Sequence, residues 1–254
     1  MKFLHASAQH IGARASQEDS FGFSSPPDPS FVAHGGFIAV LCDGMGGMEH
    51  GEVASQTGVS SFLEAYAAKT PEETIQAALQ RSVLITNDHV IEASRKLGAR
   101  EGIGTTLIAA VLHKDFLHYV SVGDSGLYHL ARGTLRLVNH PHVFGTVLDR
   151  AAEKGIMSYE EALEHPERAA LTSFIGADPL EEIDSNTDPI RLSTGDTVIV
   201  ASDGLFNTLS KTEIRGAMEG DSRRWPDLLI ARTLAKKYEY QDNVTVLTLT
   251  LLSR

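Results

Sequence analysis

Cysteine is nearly absent from this chain. Its 254 residues contain one, Cys42, which excludes an internal disulfide and fits a reducing compartment. Long hydrophobic runs are missing too: no stretch approaches the ~20 apolar residues of a membrane span. The opening Met1-Lys2-Phe3-Leu4-His5 lacks the apolar core of a secretory signal. These absences predict a soluble, cytoplasmic protein with no membrane partner. Basic charge is scarce, with 22 Lys and Arg against 33 Asp and Glu and a formal net charge of −11. A surface that acidic argues against nucleic acid as a partner. There is no internal repeat and no linker able to split the chain. The reading is a single domain over residues 1–254, with 42% hydrophobic residues to fill its core.

What is present is a run of strands that end in aspartate. Phe37-Ile38-Ala39-Val40-Leu41 reads as a buried strand and stops at Asp43, followed by Gly44, Gly46 and Gly47. Glycines there let the backbone turn sharply and bring its own carbonyls close to a small ligand. Phe116 to Val122 ends in Gly123-Asp124-Ser125, and Thr197 to Ala201 runs into Ser202-Asp203-Gly204. Asp242-Asn243 precedes the alternating strand Val244 to Leu252. Phe3 to Gly12 suits an edge strand, and Ser25-Pro26-Pro27-Asp28-Pro29 a loop outside any ladder. Two helices follow the central strand. One covers His50 to Lys69; the second is expected to start at Thr70, with Pro71 first in the helix and Glu73 completing a capping box, and to end at Gly98. A polar stretch from about 140 to 178, with Ser158 and Glu161 capping a short helix, interrupts the strands and reads as a lid.

Any one of these aspartates serves equally well as a turn or cap residue; their recurrence is what carries chemistry. Strand ends of one sheet can converge on one edge, and bare carboxylates gathered there repel one another until divalent cations resolve the repulsion. None of Glu18, Asp19, Asp43, Asp124, Asp203 or Asp242 has a His or Cys beside it at metal-ligand spacing, which argues against zinc. An all-oxygen set points to magnesium or manganese. Glu18 and Asp19 are adjacent, so on a regular strand they would face opposite ways unless the backbone kinks.

Arg14-x-x-Gln17-Glu18-Asp19, Asp43-Gly44-Met45-Gly46-Gly47, Gly104-Thr105-Thr106, Gly123-Asp124-Ser125, Ser202-Asp203-Gly204-Leu205 and Asp242-Asn243-Val244-Thr245 occur in that order. The series resembles the PP2C (PPM) family of metal-dependent serine/threonine protein phosphatases, in its compact bacterial form, from about Gln9 to Thr248. The resemblance implies an α+β fold: a four-layer αββα sandwich of two antiparallel sheets flanked by helices, with a small flap insert. It implies that Asp43 bridges two metal ions and that the Gly44 carbonyl binds one. Asp203 and Asp242 would complete the first ion, with Glu18 and Asp19 near the second, largely through water. Asp124 matches the position that helps hold a third, weaker ion in bacterial relatives. Arg14 would clamp the substrate phosphate. The implied reaction is hydrolysis of phosphoserine and phosphothreonine proteins by a metal-activated water, with Mn2+ or Mg2+ as cofactor. A cognate serine/threonine kinase and its substrates are the partners this implies.

Three positions depart from the family pattern. Gln17 stands where Asn is common, Gly126 where Arg is usual, and Met45 where many eukaryotic relatives carry His. Cys42 is no rival nucleophile: a cysteine phosphatase needs an Arg shortly downstream, and the first here is Arg81. Two other functions compete. One is a catalytically silent binding module on the same fold, disfavoured by the intact acidic set. The other is a metal-dependent nuclease or phosphodiesterase, disfavoured by the negative charge.

Overall fold

In this computed structural model, residues 2–24, 29–45, 50–100 and 102–253 are described. The Ser25–Asp28 part of the expected loop and Gly46-Gly47 of the glycine-rich turn lie outside them. The chain opens with β1 (Lys2–His10), β2 (Asp19–Phe23), α1 (Pro29–Gly35) and β3 (Phe37–Asp43). Two long helices follow, α2 (Gly51–Ala67) and α3 (Ile75–Leu97), then β4 (Leu107–His113), β5 (Phe116–Val122), β6 (Gly126–Ala131) and β7 (Thr134–Leu137). The short helices α4 (Phe144–Glu153) and α5 (Tyr159–Glu164) precede β8 (Asp184–Ser185), β9 (Ile190–Arg191) and β10 (Thr197–Ala201). The chain closes with α6 (Asp203–Phe206), α7 (Lys211–Ala217), α8 (Trp225–Leu234) and β11 (Val244–Ser253).

The strands form two antiparallel sheets. One has the order β1-β11-β10-β6-β7; the other runs β2-β3-β4-β5-β8, with β9 also paired to β5. The unbroken apolar run of β3 follows from burial on both faces. Phe37, Ala39 and Leu41 pack between the sheets with Ile108, Val198 and Leu247. Ile38, Val40 and Cys42 point the other way, onto Phe62 and Tyr66 of α2 and Leu79 of α3. The second sheet is covered likewise, with Ile199 and Val246 against Leu205, Ile214 and Leu229 from α6, α7 and α8. This is the four-layer sandwich the family resemblance implies.

The start of α3 differs from expectation. Thr74, not Thr70, is the N-cap and accepts from the Ala77 N–H. Thr70 to Glu73 form a turn closed by Glu73 N–H to Thr70 O, and Glu73 pairs with Arg81 instead of capping. Gly98 ends the helix as expected, in the left-handed conformation at φ 68°. The segment between β7 and β8 carries its own small cluster of Leu148, Ala152 and Ala162. Arg168 forks onto both oxygens of Asp149 at 2.9 Å, tying the end of this segment to α4. A bridge between Val143 and Leu171 closes the segment on itself, and one between Thr105 and Ile175 returns it to the sandwich. Among the described residues no helix is long and apolar enough to cross a membrane.

Candidate metal centre

Asp43 closes β3 directly opposite Asp19 at the start of β2. In an antiparallel pair such residues share one face, here the inner one that continues Phe37, Ala39 and Leu41. The turn after Asp43 is clamped by the Gly104-Thr105-Thr106 block. Thr106 N–H and Thr105 Oγ1 donate to Asp43 O at 2.8 and 2.9 Å, and Asp43 N–H donates to Thr106 Oγ1 at 3.0 Å. Gly44 is required by proximity: a Cβ there would lie 2.3 Å from Gly51 O and 2.8 Å from Glu18 O.

Asp19 joins the two sheets. Its Oδ2 accepts from Ser202 Oγ at 2.9 Å, just beyond β10, and from Thr245 Oγ1 at 2.7 Å on β11. The residue is 3% exposed, and its second oxygen, Oδ1, is buried without a hydrogen-bond partner. Glu18 precedes the strand, so the pleat does not force it away from the site, and its side chain lines the same cavity as Asp43. The Glu18 N–H donates to Asn243 Oδ1 at 2.7 Å, while Asn243 Nδ2 donates to Ile11 O and Ser16 O at 2.8 and 3.0 Å. One amide thereby holds the loop that carries both Arg14 and Glu18.

The remaining predicted residues converge on this point from separate segments. Arg14, Glu18, Asp43, Gly44, Asp124, Asp203 and Asp242 all line a cavity of about 250 Å3, with Met45, Thr106, Ala169 and Leu171 completing its wall. Asp203 begins α6 and Asp124 follows Gly123 in the turn after β5, so neither is the last residue of a strand. Asp242 precedes β11 and accepts from Arg14 Nη2 at 2.6 Å, both side chains being well exposed. Asp19 alone among the expected residues is not in the wall; it lies behind Asp43. The residues overlooked as contributors are Ser202, Asn243 and Thr245, although all three stand inside the matching blocks. Their signal was a hydroxyl or amide adjoining a candidate carboxylate.

The electrostatics are those of anions pressed together. Burial, then the neighbouring charges of Asp19 and Asp203, holds the Asp43 carboxyl well above the usual carboxylate range. Burial and the charges of Asp124 and Asp242 push Asp203 up to about 7. Burial also raises Asp19 and Asp124. Among the described residues no three of these side chains already enclose a single point as a finished coordination sphere. The donors nonetheless fit a hard divalent cation: all are oxygens, they repel in its absence, and Asp19 Oδ1 is a buried oxygen with nothing to accept from. Cys42 has no part in this. It is fully buried against Gly58 of α2, and burial pushes its thiol pKa up.

Comparison with known proteins points to one family. The family model described as protein phosphatase 2C matches residues 7–236. The chain is 30% identical over 213 residues to the serine/threonine phosphatase stp of Listeria welshimeri, covering 83% of this chain and 82% of that protein. The crystal structure of the Mycobacterium tuberculosis serine/threonine phosphatase PstP/Ppp superposes with a TM-score of 0.79 at 27% identity, covering 99% of both chains. The catalytic domain of a serine/threonine phosphatase PstP in complex with two manganese ions gives a TM-score of 0.75 at 25% identity, again over 99% of both chains.

Proposed function

This chain belongs to the protein phosphatase 2C family and is a metal-dependent serine/threonine protein phosphatase, and from that premise we propose which of its residues do the work. The observation that carries the assignment is the convergence of Asp43, Asp124, Asp203 and Asp242, from four separate segments, on one cavity beside Arg14. Its cofactor is Mn2+ or Mg2+. Asp43, the Gly44 carbonyl, Asp203 and Asp242 would hold the principal ions, with Glu18 and Asp19 supporting them and Asp124 serving a weaker third. Bound there, the ions would supply positive charge for the phosphate oxygens and lower the pKa of a water.

The chain's own residues do the rest. Arg14 lies at the mouth with one nitrogen on Asp242, leaving its other N–H groups to fork onto two phosphate oxygens. Asp242 thus sets the direction of the guanidinium, and Asn243 holds the loop beneath it. The clamp on the Asp43 turn keeps that carboxylate in place while charge shifts on the substrate. Met45 lines the wall and carries no proton to give a leaving alkoxide. That proton comes from water or from the segment around Ala169 and Leu171.

The substrates on this reading are phosphoserine and phosphothreonine proteins, and a cognate serine/threonine kinase supplies them. The whole chain acts as one domain, with residues of about 140–178 as a flap over the cavity. The single reduced Cys42 supports a cytoplasmic location. The test is hydrolysis of a phosphopeptide and of p-nitrophenyl phosphate with manganese, with magnesium, with zinc and after chelation. Turnover of both with manganese or magnesium, and of neither after chelation, is the expected result; activity surviving exhaustive chelation overturns the metal assignment.

A further inference from the structure

A second cavity, of about 510 Å3, lies on the other side of the segment that walls the acidic one. Ala169 and Leu171 face the acidic cavity, and Thr172 faces the second. One buried polar side chain opens into it. His142 is 5% exposed and lines this cavity. The Gly123 N–H donates to His142 Nδ1 at 3.1 Å, so that nitrogen carries no proton and the neutral ring bears its hydrogen on Nε2. Burial, which also lowers the ring's pKa, agrees with the neutral form. The Nε2–H has no hydrogen-bond partner among the described residues. It is a donor waiting for a carbonyl or similar oxygen.

The charge around that donor is unbalanced. Glu181 and Glu182 are exposed in the lining, and neither carboxylate has a hydrogen bond or ion pair among the described residues. Asp184 is engaged, accepting from Tyr119 Oη at 3.1 Å and from the His140 N–H at 2.8 Å, with the His140 ring 3.7 Å away. Arg150 is the lining's one guanidinium. Two unpaired carboxylates beside a neutral N–H donor match a residue with a cationic side chain and a main-chain carbonyl.

We propose that this cavity docks the polypeptide that flanks the phosphoresidue, with a Lys or Arg side chain on Glu181 and Glu182 and that residue's carbonyl on His142 Nε2–H. The proposal rests on the phosphatase reading of the neighbouring cavity. Leu171 and Thr172 are consecutive, so the two cavities share a wall and the basic residue belongs within a few positions of the phosphoresidue. The connection to the reaction is short, because His142 N–H donates to Gly123 O at 2.9 Å, next to Asp124, and Thr172 N–H donates to His142 O at 2.9 Å.

The experiment is a phosphopeptide series in which a single Lys is moved through the positions around the phosphoresidue, with Ala and Glu as replacements and p-nitrophenyl phosphate as control. Wild type should prefer Lys over Ala about fivefold in kcat/KM at one of those positions. The double variant Glu181→Gln, Glu182→Gln should lose that preference while leaving the Ala peptide and p-nitrophenyl phosphate unchanged. Glu182→Lys should turn the preference toward Glu. Equal turnover of all peptides by wild type, a preference for Glu in wild type, or a Lys preference that survives the double variant overturns the proposal. A second arm needs no turnover: the unphosphorylated Lys peptide should shift the His142 ring resonances in wild type and not in the double variant. Should wild type hydrolyse none of the phosphoesters, the phosphatase reading falls, and this arm still decides the docking site.

Discussion

The floor and the rim of the acidic cavity use the same residue type to opposite ends. Asp43 and Asp203 form the floor and Asp19 lies beneath it, and burial with mutual repulsion raises all three carboxyl pKa values. At the rim, Asp242 is well exposed and already has its cation, the Arg14 guanidinium at 2.6 Å. The rim pair is a surface ion pair worth at most about 1 kcal/mol to folding, so its value lies in aiming Arg14. The floor stores unfavourable energy that a bound divalent ion releases. Placement in depth, not residue identity, separates the carboxylates proposed only to hold ions from Asp242, which is also placed to aim Arg14 at the substrate.

Removing a floor charge should have the largest effect. Asp203→Ala is expected to lower kcat by at least about 10²–10³-fold and to weaken manganese binding in calorimetry. Metal binding equal to wild type would move Asp203 off the ion. The rim comes next: Arg14→Ala should lose roughly 10- to 150-fold in kcat/KM, from a charge-assisted contact of about 1.5–3 kcal/mol. Its melting temperature should stay close to wild type, and a large drop would make Arg14 structural.

The strut beneath the floor is a stability matter. Thr245→Val deletes a 2.7 Å bond to the buried Asp19 carboxylate and should cost about 1.5–3 kcal/mol in urea unfolding of the metal-loaded protein. No change there would mean Ser202 alone suffices.

The stored repulsion can be read directly by pH. Asp203 binds its proton more tightly folded, near pH 7, than unfolded, so the metal-free fold gains stability as pH falls through 7 toward the ordinary carboxylate range and loses it as pH rises. Metal-free Asp203→Asn should therefore melt higher than metal-free wild type at pH 8, with the gap narrowing as pH falls through 7 and closing only in the ordinary carboxylate range near pH 4. A gap independent of pH would contradict the crowded floor. The smallest effect is expected at Met45. Met45→Ala should change phosphopeptide and p-nitrophenyl phosphate turnover by similar factors, because the side chain only packs. A selective loss on the phosphopeptide would give position 45 a part in leaving-group departure.

Local order along the chain was legible wherever neighbours in sequence decide it. The capping box at Ser158 and the glycine end of α3 are both short-range bonds, and both form. Thr70-Pro71-Glu72-Glu73 carried an equally good local signal and failed. Arg81, eight residues on, takes the Glu73 carboxylate with two hydrogen bonds, and Thr74 caps the helix instead. The missing pieces of the site are of the same long-range kind. Ser202 and Thr245 meet Asp19 across 183 and 226 residues, and the Glu18 N–H reaches Asn243 across 225.

The amino-acid sequence by itself determined the cast: which carboxylates, on which turns, in an order that admits one family and an all-oxygen donor set. Through the family resemblance it implied the sandwich as well, whereas the apolar run of β3 by itself says only that the strand is buried on both faces. Only the tertiary structure decided depth. Asp19 and Asp242 look alike in sequence, yet one is sealed between the sheets and the other faces solvent beside an arginine. Burial and distance set the energy of a charge, and both arise from segments that the chain brings together only when it folds.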